Sequence, residues 1–182
     1  MKKQILLYQA SDATCDVLKA MQIDYKIIKQ EELHETLGYL MELEGFTKAI
    51  EKKETKKFPF DLMILANIED DEIRTITEKL KAANANIERK CLLTKHNQHW
   101  TLEALLEEID QEHTYFQHYN VLHKLIMEAQ TIDLSSCKKE HAIAYQSAFM
   151  NGYTVLQERD EDLEKLKSAI LELQKAKEQV SN

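Results

Sequence analysis

The sequence predicts an α/β protein: a small four-stranded parallel sheet with flanking helices, followed by an all-α helical tail. Three observations carry this. Four short apolar runs, Ile5 to Tyr8, Asp24 to Lys29, Asp61 to Ala66 and Lys90 to Thr94, alternate with helix-compatible segments. From Thr101 onward the strand pattern stops and apolar residues recur only at helical spacing. With three Gly and one Pro in 182 residues, the chain suits a helix-rich fold with few special turns.

The first run is apolar throughout, as in a strand covered on both faces. Ser11 follows as N-cap and Asp12 suits the positive end of the helix dipole, with Cys15, Leu18 and Met21 at helical spacing. After the second run, a helix is expected over Glu35 to Leu43, with Gly45 as its C′ residue. Lys48 to Lys57 is positively charged and aperiodic, a solvated connection closed by Pro59. The next helix starts near Glu69, with Ile68 and Ile73 as a hydrophobic staple, and runs to about Ala83. The order βαβαβαβ implies a parallel sheet, and short right-handed connections favour strand order 2-1-3-4.

The tail reads as three helices: one from Thr101 to Gln130, one from Ser136 to Gln157, and one from Asp160 to about Val180. The first would be ~45 Å long at ~1.5 Å per residue, while strands of five or six residues span only ~20 Å. It is therefore expected to overshoot the sheet, dividing the chain into an α/β domain over residues 1–113 and a helical tail over 114–182. Leu163, Leu166, Ile170 and Leu173 form a heptad-like stripe in the last helix, buried either within the tail or against a second copy. No internal repeat or low-complexity tract is evident.

A net charge of −8 argues against a nucleic-acid or anionic-membrane surface. The apolar run near the N-terminus is too short for a signal peptide, and none is long enough to span a bilayer. Cys15, Cys91 and Cys137 form no disulfide framework, which suits buried thiols in a reducing cytoplasm.

In an α/β sheet, ligands bind beyond the carboxyl ends of the strands. In a parallel sheet the loops after strands one, three and four would bring Ser11, Asn67, Thr94, His96, Asn97 and Trp100 to one edge. These are the candidate binding residues, and free N–H groups at the helix starts favour a small polar or anionic ligand. Each has a structural reading beside the functional one. Trp100 and Leu105 flank Thr101 as a staple, and Asn97 suits an Asx turn. His96 and His99 are too few for a zinc site, and Cys91 lies inside a strand. Cys137 and His141 share a helix face but make only two ligands. Each glycine is isolated and none follows a strand, so no phosphate loop is present. Gln9-Ala10 and Ala66-Asn67 stand where a phosphoacceptor fold needs acids. No catalytic set, metal site or cofactor is indicated.

Leu37-Gly38-Tyr39-Leu40, Leu93-Thr94-x-x-Asn97-x-x-Trp100 and Glu112-His113 resemble a bacterial family catalogued only as a domain of unknown function, over residues 3 to 113. The resemblance puts weight on Thr94, Asn97 and Trp100 but implies no established reaction, cofactor or partner. Two functions follow as expectations. One is a non-catalytic cytoplasmic interaction or regulatory module that forms a homodimer, or holds a protein partner, through its helical tail. The other is a ligand-binding protein or enzyme at the sheet edge near Thr94, Asn97 and Trp100.

Overall fold

The structure, a computed structural model, describes residues 3–50, 54–158 and 161–181. The chain divides into two compact units, Met1–Glu108 and Ile109–Asn182, and the division falls inside one long helix. The first unit holds β1 (Gln4–Tyr8), α1 (Asp12–Ala20), β2 (Tyr25–Ile28), α2 (Leu37–Leu40), β3 (Leu62–Ala66), α3 (Asp70–Ala82), β4 (Arg89–Leu92) and the start of α4 (Leu102–Ala129). Short 3-10 turns at Gln30–Glu32 and Asn97–His99 follow β2 and β4.

Helix starts are set by side chains that satisfy otherwise orphaned N–H groups. Ser11 Oγ accepts from Thr14 N–H at 3.2 Å, Thr36 Oγ1 from Tyr39 N–H at 3.3 Å, and Thr101 Oγ1 from Ala104 N–H at 3.2 Å. Glu69 and Glu72 form a reciprocal capping box on α3. Helix ends are set by residues in the left-handed region: Gln22, Glu42 and Asn84, at φ of 57°, 55° and 51°. The N–H two places beyond each helix's last capping residue then reaches back, Ile23 to Leu18, Leu43 to Gly38 and Ala85 to Leu80, in Schellman motifs. Here α2 departs from expectation. Glu42 takes the left-handed position, so the helix has four residues and Gly45, at φ 86°, bends the loop beyond it.

The strand order is β2-β1-β3-β4 as expected, but the sheet is mixed. β1 pairs with β2 and β3 with β4 in parallel, whereas β1 and β3 are antiparallel. A parallel crossover needs an element that carries the chain back to the starting edge. α1 and α3 do this. Between β2 and β3 the only α-helix among the described residues is α2, which advances ~6 Å at ~1.5 Å per residue. The chain therefore re-enters the sheet at the edge it left. β1 and β3 are apolar on both faces, so their patterning is equally compatible with either direction.

α1 and α3 pack on one face, where Ile5, Leu7, Met63 and Leu65 meet Cys15, Leu18, Ile76 and Leu80. Ile68 and Ile73, the expected staple, lie against this cluster. Strand alternation turns Leu6, Tyr8, Leu62 and Ile64 to the opposite face, and all four are buried.

The second unit combines the C-terminal part of α4 with α5 (Lys139–Glu158) and α6 (Leu163–Ser181). Its core gathers Leu122, Ile126, Tyr145, Val155, Leu156, Leu166, Ile170 and Leu173. The expected start of the last helix at Asp160 lies outside the described residues. α6 begins at Leu163, with the Asp162 carboxylate accepting from Glu164 and Lys165 N–H at 3.0 and 3.1 Å. Leu166, Ile170 and Leu173 are buried among helices of the same chain and Leu163 is half-buried. Of the two burials open to this stripe, the one within the tail is found for Leu166, Ile170 and Leu173.

Polar contacts fasten the bundle. The buried Tyr145 hydroxyl donates to the Ala129 carbonyl at 3.2 Å, and burial raises its pKa. Lys177 Nζ meets the Glu128 carboxylate at 2.7 Å. Cys137 Sγ lies 3.3 Å from the Val180 carbonyl and His141 Nδ1 lies 3.1 Å from that of Gln179. The i, i+4 pair noted in the sequence thus caps the last turn of α6.

Candidate functional site

The antiparallel pairing of β1 and β3 separates residues expected at one edge. Tyr8 pairs with Leu62 and Gln4 with Ala66. Ser11 therefore lies beside the entry to β3, where Gln9 Nε2 donates to the Phe58 carbonyl at 2.7 Å. Asn67, at φ 54°, lies at the opposite edge, near the start of β1. There Lys3 Nζ contacts Glu72 at 2.7 Å, and this bond, with the Glu69 N–H, lowers the Glu72 pKa. Because β4 is parallel to β3, Thr94, His96, Asn97 and Trp100 share Asn67's edge and not Ser11's. The expected six-residue convergence is corrected to two separate sets.

Within the loop after β4 the polar groups satisfy one another. Asn97 is 9% exposed; its Oδ1 accepts from Thr94 N–H at 2.8 Å and its Nδ2 donates to the Leu92 carbonyl at 2.9 Å. Thr94 Oγ1 returns the contact by accepting from Asn97 N–H at 3.1 Å. This reciprocal pair over three residues has the geometry of a capping box and not of the expected Asx turn, in which Asn97 would accept from the N–H two residues on. Trp100 is half-buried, with the exposed His96 ring edge-on at 5.4 Å. Its carbonyl accepts from Leu37 N–H at 2.9 Å, so it joins two segments through its backbone.

The concavity beside this loop is a cleft of about 620 Å³ lined by Thr36, Glu44, Gly45, Phe46, Thr47, Gln98 and His99. Phe46 and His99 form one wall, with ring centroids 5.0 Å apart. Gly38 permits this wall, since a Cβ there would lie 2.4 Å from the Phe46 ring. Its amide, hydroxyl, carboxylate and imidazole groups can form hydrogen bonds to a ligand. They include no nucleophile paired with a base.

Sequence reasoning missed a buried pair close by. His34 and Glu35 are 8% and 2% exposed, with His34 Nε2 at 3.4 Å from Glu35 Oε1. Glu35 Oε2 accepts from Ala49 N–H at 2.8 Å, and among the described residues neither His34 ring nitrogen has a hydrogen-bond partner. Two polar residues ahead of a helix cap look solvent-exposed in a sequence; only the tertiary fold, which brings Ala49 onto the Glu35 carboxylate, buries them. No group of three His, Cys, Asp or Glu among the described residues is placed to hold a metal ion.

The second βαβ unit and the helix leading out of it define an α/β domain. Residues 61–116 match the model of the family described as a domain of unknown function, DUF3783. The matched segment contains Thr94, Asn97, Trp100 and Glu112-His113, whereas Leu37 to Leu40 lie outside it. No curated protein and no solved structure matches the chain.

Proposed function

We propose that the protein is a non-catalytic interaction module that self-associates through its helical unit and works in the cytoplasm. The observation that carries this reading is an apolar face on α5. Ile143, Met150 and Tyr153 are 57%, 58% and 43% exposed and recur on one side of the helix. Met150 also lines a mainly apolar groove of about 340 Å³ with Ile132, Leu134, Tyr145 and Phe149, edged by Gln130 and Gln146. Large apolar side chains grouped around a groove mark interaction surfaces more often than scattered ones do. Since Leu166, Ile170 and Leu173 serve the internal core, the contact surface moves from α6 to α5. The cytoplasmic assignment is supported by the cysteines, none of which forms a disulfide, and by the lack among the described residues of a helix long and apolar enough to cross a membrane.

The test is a charge on that face. Met150→Lys should convert a dimer to a monomer in light scattering while leaving the melting temperature near that of the parent. An unchanged mass would remove α5 from the interface. The alternative, a small polar ligand, moves from Thr94 and Asn97 to the neighbouring cleft at Thr36, Gln98 and His99, supported by the volume and polar lining there. A thermal-shift screen of carboxylates, sugar phosphates and nucleotides checks it.

A further inference from the structure

The segment that matches the family model begins at β3 and ends in α4, and the residues before it follow the same plan. Each of β1 and β3 has five residues and is followed at once by a left-handed residue, Gln9 or Asn67. Two residues later comes a helix cap, Ser11 or Glu69. Each helix ends in a left-handed C′ residue, Gln22 or Asn84, and leads to a four-residue parallel strand, a 3-10 turn and a threonine-capped helix. α3 exceeds α1 by four residues, 13 against 9, which is about one turn and keeps the buried faces in phase. The sequence carries the same echo. His34-Glu35-Thr36-Leu37-Gly38-Tyr39-Leu40 and His99-Trp100-Thr101-Leu102-Glu103-Ala104-Leu105 share the pattern His-x-Thr-Leu-x-x-Leu.

The pairing between the two halves obeys this equivalence. Aligning the two five-residue strands by position matches Leu6 with Ile64, and in the sheet Leu6 pairs with Ile64. Gln4 is equivalent to Leu62 and pairs with Ala66; Tyr8 is equivalent to Ala66 and pairs with Leu62. At a second, separate contact Thr36 bridges to its own equivalent, Thr101. The flanking hydrogen bonds exchange in the same way: Leu37 N–H to the Trp100 carbonyl at 2.9 Å and Leu102 N–H to the Glu35 carbonyl at 3.0 Å. Contacts in which i meets j and j meets i are the signature of a two-fold, isologous interface. A lone βαβ segment with two strands would leave its inner edge open and its core too small for independent stability.

We infer that residues 3–50 are a second, diverged copy of the matched domain. The surface along β1, β3 and the Thr36–Thr101 bridge is then a self-pairing surface, whose fitting partner is another copy of the same segment. The first unit is a two-fold pair joined within one chain. The two copies keep the plan and little of the sequence, and the buried His34–Glu35 pair of one stands where the other has the more exposed His99 and Trp100.

A full-length chimera tests this, with residues 3–46 replaced by a second copy of 61–111 and the rest of the chain unaltered. A companion chimera carries a longer Gly/Ser-rich connection, so that strain in the junction does not decide the result. The expected outcome is helix and strand content like the parent's and a single cooperative urea transition in at least one chimera. Pairing of the identical copies within a chain or between chains, read as monomer or dimer by light scattering, supports the inference equally. Failure of both chimeras to show a cooperative transition would overturn it.

Discussion

Replacing Asn97 by Ala separates a folding role for the loop after β4 from a binding role. The substitution removes the bond to Thr94 N–H at 2.8 Å, the bond to the Leu92 carbonyl at 2.9 Å and a weak contact to Cys91 Sγ at 3.6 Å. A typical intramolecular hydrogen bond contributes about 0.5–1.5 kcal/mol net, so the two good bonds represent about 1–3 kcal/mol. Leu92 is 48% exposed and Thr94 is exposed, so water replaces part of what is lost. The expected loss is therefore in the lower half of that range, about 1–2 kcal/mol. Urea denaturation with linear extrapolation measures it, and a double-mutant cycle with Thr94→Val should show a coupling above about 0.5 kcal/mol, as for residues in one hydrogen-bond network. A loss below about 0.5 kcal/mol with a native spectrum would rule out a folding role and return Asn97 to the candidate ligand contacts.

Three further outcomes follow from the same structure. Ile170→Asp places an unpaired charge in the bundle core, where Ile170 is 8% exposed, and should cost more than about 3 kcal/mol, read as a lower urea midpoint of the helical signal rather than a clean dimer-to-monomer change. Gly38→Ala forces the Phe46 ring away from its place and should cost about 1–3 kcal/mol in a urea melt, with a shift of the His99 ring resonances in NMR. Lys3 lowers the Glu72 pKa and Lys177 that of Glu128. A carboxylate whose folded pKa lies below its unfolded value stabilises the fold above the unfolded value and loses that contribution as pH falls through the folded one. Melting temperatures of the parent should therefore fall more steeply below the ordinary glutamate value of 4.5 than those of a Glu72→Gln/Glu128→Gln variant.

Strand positions and order were legible because apolar runs and right-handed crossovers constrain them strongly. The direction of β3 was not. A strand buried on both faces has no alternation to orient it, and the helix expected over Glu35 to Leu43 is more than twice as long as the four-residue α2, which is too short to return the chain. That error also created the apparent convergence of Ser11 with Thr94 and Asn97. The length of α2 turned on which residue would take the left-handed conformation; glycine is the usual choice, but Glu42 takes it here. The two His-x-Thr-Leu-x-x-Leu segments lay in plain view, yet their equivalence rests on the flanking left-handed residues and the strand register, which no residue pattern displays. For the tail, the stripe of Leu166, Ile170 and Leu173 was read from its spacing. Whether it faced the same chain or another depended on how three helices close around it.

The proposed function stands on a self-associating surface on α5 of the helical unit. Multi-angle light scattering of the parent protein at tens of micromolar, diluted stepwise, tests it most directly, since an ordinary interface with a dissociation constant of about 1 μM holds in that range. The expected mass is twice the chain's 21.3 kDa and falls toward a single chain on dilution, with Met150→Lys already at the lower value at the highest concentration. A mass of one chain for the parent at every concentration would contradict it.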